Sequence, residues 1–147
     1  MTGVQTCALP ILAGFHYPPP IDHYHLGPTF AAKHPEWRGV DQNGRMTPRI
    51  AYSYPGVRAY VVSLLRELAE RPIDGVCLLY CRRPPLVEYE PPDVEAFERE
   101  YGLRPQALPH DDARWLRFRA RELTGIMREV LQAMNAVGAD RGRPVAV

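Results

Sequence analysis

Residues 53–81 read SYPGVRAYVVSLLRELAERPIDGVCLLYC, and this stretch decides the predicted fold. Ser53 and Pro55 suit the start of a helix, because serine can cap free N–H groups and proline fits the first turn. Apolar residues then recur at helical spacing, namely Val57, Val61, Leu64, Leu65 and Leu68. After an Asp74-Gly75 turn, residues 76–81 (VCLLYC) form a continuous apolar run, which is typical of a strand covered on both faces. The stretch therefore predicts a helix followed by a strand buried in a parallel sheet.

Two further helices and another strand are predicted downstream. Residues 82–92 (RRPPLVEYEPP) form a proline-rich loop, and residues 94–101 form a short helix closed by Gly102. Asp111 and Asp112 then open a long helix with acids at its positive end. Its predicted buried stripe consists of Leu116, Leu123, Met127, Val130, Met134 and Val137. Residues 144–147 (PVAV) read as the start of another strand, so the order of elements indicates an α/β fold with parallel strands and crossover helices.

A hairpin is predicted upstream of this unit. Asn43-Gly44 is a strong turn signal, and it separates two segments, 34–40 and 45–52, that can pair as antiparallel strands.

Composition excludes several classes of protein. The chain has 147 residues, a net charge of +1, 46% hydrophobic and 24% charged residues, which is typical of a globular domain. So small a net charge predicts no nucleic-acid partner, and no apolar run approaches the roughly 18 residues of a membrane span. His16, His23, His25 and His34 have no acid or cysteine at ligand spacing, and Cys77 and Cys81 are predicted to be buried thiols. We therefore expect neither a metal nor a cofactor.

Residues 1–11 (MTGVQTCALPI) resemble translated sequencing adapter joined to a natural coding sequence. The competing interpretation, a secretory signal, requires a basic start and a longer apolar run, and this segment contains no Lys or Arg. We interpret residues 1–11 as an artefact and residues 12–147 as the domain, and the sequence assigns it no cellular location.

Three segments together suggest a family. They are HPEWRGVDQNGR (34–45), YSYPGVRAYVVSLLRELAERPIDGVCLLYCRRPP (52–85) and YEPPDVEAFEREYG (89–102). In order and spacing they resemble the glycoside-hydrolase-like family 10 proteins of bacteria. The resemblance covers about residues 34–147 and implies a (β/α)8 TIM barrel, of which 12–147 would be an incomplete fragment, since a full barrel needs about 250 residues.

The resemblance implies a carbohydrate substrate and hydrolysis of glycosidic bonds. Chemistry in such barrels lies at the carboxyl ends of the strands, and glycoside hydrolysis needs two carboxyl groups. The candidate catalytic residues are Glu90 and Glu36. The candidate substrate-binding residues are Arg82, His34, Trp37, Tyr89 and Tyr80. Leu79 stands where many relatives have an aspartate, so the alternative is a barrel that binds carbohydrate without cleaving it.

Overall fold

The computed structural model of the chain describes residues 33–78 and 86–147. Within these ranges the strands are β1 (Arg38–Val40) and β2 (Met46–Ile50). The helices are α1 (Pro55–Ala69), α2 (Pro91–Tyr101) and α3 (Ala113–Asp140), with short 3₁₀ helices at Pro35–Trp37 and Pro105–Ala107.

The hairpin is confirmed. β1 and β2 pair antiparallel, with Arg38 opposite Ile50 and an irregularity in the register between Arg38 and Val40. The turn is stabilised by the Asp41 carboxylate, which accepts hydrogen bonds from the Asn43 and Arg45 amides at 2.9 Å each. Gly44 has a φ of 76°, a left-handed conformation that glycine adopts without strain. On the edge of the hairpin, the Tyr89 amide donates to the Val40 carbonyl at 3.0 Å.

The three predicted helices are also confirmed, with one error in the buried face of α3. α2 ends at Gly102, which has a φ of 69°, and Asp112 caps α3 by accepting the Arg114 amide. Leu116, predicted to be buried, is 45% exposed, whereas its neighbour Trp115 is 0% exposed. The large aromatic side chain takes the core position, and this rotates the buried stripe by one residue at this end of the helix.

Two hydrophobic clusters hold the described residues together. The main core joins α1 to the second half of α3 and includes segments on either side of these helices. Its buried members are Tyr52, Val57, Val61, Leu65, Ala69, Ile73, Val76, Val87, Ile126, Val130, Ala133, Met134 and Val145.

The second cluster, here called the aromatic cluster, joins α2 to the first half of α3. Its buried members are Tyr89, Phe97, Trp115 and Phe118. Phe97 packs edge-on against Trp115 and Phe118, with ring centroids 5.2 and 5.4 Å apart, a geometry that aromatic pairs prefer.

The prediction of an α/β barrel fragment with parallel strands is wrong. The described residues form a mostly helical domain whose strand ladder is antiparallel. The parallel pairing among them is a single isolated bridge between Gly75 and Ala146. An apolar run alone does not show which backbone a segment pairs with, and residues 79–81 of this run lie outside the described residues. Val76 packs in the main core, but the following Cys77, predicted to be a buried thiol, is exposed.

Candidate functional site

Three side chains at the first 3₁₀ helix form a partly exposed group, here called the aromatic–acid surface: His34, which is the N-cap, Glu36 and Trp37, which also packs against the main core. Pro35 begins this turn, and the Trp37 amide closes it by donating to the His34 carbonyl at 3.1 Å. The His34 ring stacks on Trp37 with centroids 3.9 Å apart and planes at 11°. The His34 Nδ1 atom lies 3.0 Å from the Glu36 carboxylate, whose side chain is 57% exposed. The hydrogen bond from His34 lowers the pKa of Glu36, so this carboxyl is ionised at neutral pH.

This surface is tied to the start of α1. The Trp37 carbonyl accepts a hydrogen bond from the Ala51 amide at 2.9 Å. The indole lies so close to Gly56 that a Cβ atom there would be 2.6 Å from two ring carbons. Glycine at this position therefore permits the close approach of Trp37 to the helix.

A buried pair of carboxyl groups lies at the start of α2, and we call Glu90 and Asp93 the carboxyl pair. Glu90 is the N-cap of α2 and Asp93 is its third residue, and these two positions bring side chains together at a helix start. Glu90 is 1% exposed and Asp93 is 5% exposed. Ser53, in the segment before α1, contacts both: its Oγ lies 3.4 Å from Glu90 Oε2 and is also hydrogen-bonded to Asp93 Oδ2.

Burial is the main cause of the unusual electrostatics here. It raises the pKa of Asp93 to about 7, the Ser53 hydrogen bond opposes this rise, and the neighbouring Glu90 charge adds to it. Burial also raises the pKa of the Tyr54 phenol, with further contributions from the charges of Glu90, Asp93 and Glu36. Tyr54 is therefore within electrostatic reach of both the aromatic–acid surface and the carboxyl pair.

The hairpin approaches the carboxyl pair from one side. A Cβ atom at Gly39 would lie 3.2 Å from Glu90 Oε1 and 2.6 Å from Thr47 Oγ1, so glycine allows this contact. The Glu88 amide donates to Glu90 Oε2 at 2.7 Å. The Glu88 side chain is paired with Arg49, and burial raises the pKa of Glu88 despite that pairing.

The candidate residues from the sequence are distributed over both parts of this region. Glu36, His34 and Trp37 form the aromatic–acid surface, and Glu90 belongs to the carboxyl pair. Tyr89 is buried in the aromatic cluster, with its ring 5.1 Å from that of Trp115. Tyr80 and Arg82, together with Leu79 and residues 1–11, lie outside the described residues.

Sequence reasoning overlooked Asp93 and treated Ser53 only as a helix cap. The signal was present in Glu90-Pro-Pro-Asp93, where two acids flank the prolines of a helix start at N-cap and third positions. Recognising Ser53 as their partner requires the fold, because Glu90 lies 37 positions and Asp93 lies 40 positions after Ser53 in the sequence.

Other kinds of site are not found in the part of the chain that the structure describes. Within residues 33–78 and 86–147, no three His, Cys, Asp or Glu side chains are grouped so as to hold a metal. No helix in these ranges is both long and apolar enough to cross a bilayer. A groove of about 380 Å³ runs between α1 and α3 beside Arg58, Arg66 and Glu129, and neither the aromatic–acid surface nor the carboxyl pair lines it.

Comparison of the chain with family models, with curated proteins and with solved structures gives no match. A function for this protein is therefore argued from its own residues.

Proposed function

We propose that the protein binds a carbohydrate at the aromatic–acid surface. The observation that carries this proposal is the grouping of the stacked His34 and Trp37 rings with the exposed Glu36 carboxylate. A sugar ring offers an apolar face of C–H groups, which suits an aromatic side chain, and hydroxyls, which donate to a carboxylate. Hydrogen bonds to an ionised carboxylate are stronger than neutral ones, and the lowered pKa of Glu36 keeps it ionised at neutral pH.

Hydrolysis of a glycosidic bond is the second candidate function. The reaction requires one carboxyl group that is protonated and one that is ionised. The observation that favours it is the opposite perturbation of two acids whose charges both act on the Tyr54 phenol, since the pKa of Glu36 is lowered and that of Asp93 is raised to about 7. In this scheme Glu36 is the ionised carboxylate, and the carboxyl pair, which contains Glu90, supplies the acid.

Binding is favoured over hydrolysis because the carboxyl pair is buried. Glu90 is 1% exposed, and one of its oxygens is held by both Ser53 and the Glu88 amide. A carboxyl group must reach the glycosidic oxygen in order to protonate it. The exposed Glu36 needs no rearrangement to contact a sugar, whereas the carboxyl pair does.

The binding proposal is tested by screening the chain on a glycan array and measuring the hits by calorimetry. Glu36→Gln keeps the shape of the side chain but removes its charge, and we expect it to weaken binding by about tenfold or more. Glu67→Gln, an exposed substitution on α1, is the matched control and should bind as the unaltered chain does. Absence of any glycan ligand, or equal affinity of the Glu36→Gln and Glu67→Gln variants, would refute the assignment.

Hydrolysis is tested separately with the sugars that bind. Chromogenic glycosides of those sugars should be cleaved by the unaltered chain and not by Glu36→Gln or Asp93→Asn. Binding without cleavage at any pH would support carbohydrate binding and rule out hydrolysis of these sugars.

A further inference from the structure

A proton on one of the two buried carboxyl groups allows Ser53 to hydrogen-bond to both of them. Ser53 Oγ is within hydrogen-bonding distance of Glu90 Oε2 and of Asp93 Oδ2. A hydroxyl has one hydrogen, so it donates fully to only one of these oxygens, and a hydrogen bond with the other needs that carboxyl to be protonated. Both contacts are satisfied if the Asp93 carboxyl O–H donates to Ser53 Oγ while Ser53 donates to Glu90. The Glu88 amide, which also donates to Glu90 Oε2, completes this chain of hydrogen bonds.

Burial gives this proton a structural role. Glu90 and Asp93 are both almost inaccessible to water, and two adjacent charges in such an environment repel without the screening that water provides. Burial and the neighbouring Glu90 charge raise the pKa of Asp93 and so favour its protonated form, whereas a hydrogen bond donated by Ser53 to the ionised form opposes that rise. The positive end of the α2 dipole lies beside the pair and stabilises one negative charge there.

The groups that face the pair come from each surrounding element. They are Tyr54 before α1, Glu88 in the segment before α2, Arg49 of β2, which is paired with Glu88, and Arg119 and Glu122 of α3. Arg119 donates its Nε–H to the Val87 carbonyl at 2.7 Å. Glu122 adds negative charge near Asp93, which favours retention of the proton, whereas Arg119 places positive charge near Glu90.

We propose that Ser53, Glu90 and Asp93 form a proton-dependent lock that fastens the start of α2 to the segment before α1, and that loss of the shared proton opens it. The segment that is fastened, residues 51–54, also supports the aromatic–acid surface through the bond from the Ala51 amide to the Trp37 carbonyl. The lock goes beyond the proposed carbohydrate binding and needs no bound sugar, so each can fail without the other.

The direction of the pH effect follows from the raised pKa. An Asp whose pKa rises from 3.8 to about 7 on folding binds its proton more tightly in the folded chain. The stability that this proton contributes is complete below the unfolded pKa and is lost as the pH rises through about 7. The folded chain should therefore become less stable between mildly acidic and mildly alkaline pH.

Thermal melts of the 147-residue chain at about pH 5 and about pH 8 test the lock. We expect the melting temperature of the unaltered chain to fall between these two values by several degrees. Asp93→Asn should show little change, because an amide N–H donates to Ser53 at every pH. Glu95→Gln, an exposed change on the same helix, should behave like the unaltered chain. A melting temperature that does not fall, or that falls equally in Asp93→Asn, would overturn the proposal.

A second measurement uses the unaltered chain, so it does not depend on whether a substituted chain folds. NMR of the unaltered chain, labelled at the aspartate carboxyl carbons, should show one aspartate, Asp93, that titrates near pH 7. If every aspartate titrates in the acidic range, the shared proton is absent and the lock does not exist.

Discussion

At the scale of single residues, two glycines in helices should respond in opposite directions to a methyl group. A Cβ atom at Gly56 would lie 2.6 Å from two carbons of Trp37, so Gly56→Ala must displace the indole and should destabilise the fold by about 1–3 kcal/mol. Gly125, inside α3, has no atom within 4 Å of the added carbon. Gly125→Ala should therefore stabilise the chain by about 0.5–1 kcal/mol through helix propensity alone. Urea unfolding measures both changes, and a gain in stability in Gly56→Ala would show that Trp37 does not pack there.

The candidate site shows how far single residues can be predicted. His34, Glu36 and Trp37 are neighbours in sequence, so their grouping follows from one local turn. Asp93 gives no such local indication of burial, because its environment depends on Ser53, which is distant in the chain. Local chemistry was therefore predictable, and the buried partner was not.

At the scale of elements, Asp112 controls the start of the longest helix. Its carboxylate accepts the Arg114 amide at 2.9 Å and also binds the Arg114 guanidinium. Asp112→Ala should lower the melting temperature by a few degrees, because the Arg114 amide in the first turn of α3 loses the side-chain oxygen that accepts its hydrogen bond. Asp111→Ala is the control, since Asp112 and not Asp111 is the N-cap. Equal effects of the two substitutions would show that charge near the helix start matters rather than capping.

Asp112 also gives a pH dependence of opposite sign to that of Asp93. The hydrogen bond with Arg114 lowers its pKa from 3.8 to about 2. The stabilisation is therefore present above the unfolded pKa and is lost as the pH falls from about 4 towards 2. Circular dichroism in acid should show earlier loss of helix in the unaltered chain than in Gly125→Ala, whose added helix propensity opposes it.

The elements were more predictable than their assembly. Caps and turn residues located the hairpin, the end of α2 and the start of α3, since Gly44, Gly102 and Asp112 act through local backbone geometry. The predicted cap of α1 was wrong, because its N-cap is Tyr54 and not Ser53. The assembly was mispredicted because the apolar character of residues 76–81 does not show which backbone, if any, the segment pairs with. Strand pairing depends on residues far apart in the sequence. The parallel pairing among the described residues is one bridge, between Gly75 and Ala146.

At the scale of the whole molecule, α3 is the element that both hydrophobic clusters share. Its first half contributes Trp115 and Phe118 to the aromatic cluster, and its second half contributes residues such as Val130 and Met134 to the main core. Gly125 lies between the two halves and contributes no side chain to either cluster. This arrangement allows the part around α2 to open while the pairing of α1 with α3 persists, since local opening follows the distribution of buried contacts.

Two large-to-small substitutions test this division, because Phe97 and Met134 are both 0% exposed but belong to different clusters. Each change to alanine should cost about 2–5 kcal/mol of stability. Phe97→Ala should increase hydrogen exchange mainly in α2 and the first half of α3, and Met134→Ala mainly in α1 and the second half. Leu131→Ala, at a residue that is 47% exposed, is the control and should leave both regions protected. If either core substitution increases exchange evenly over all three helices, the two clusters unfold as one unit. In that case, loss of the proton at Asp93 should destabilise the whole domain rather than release α2 alone.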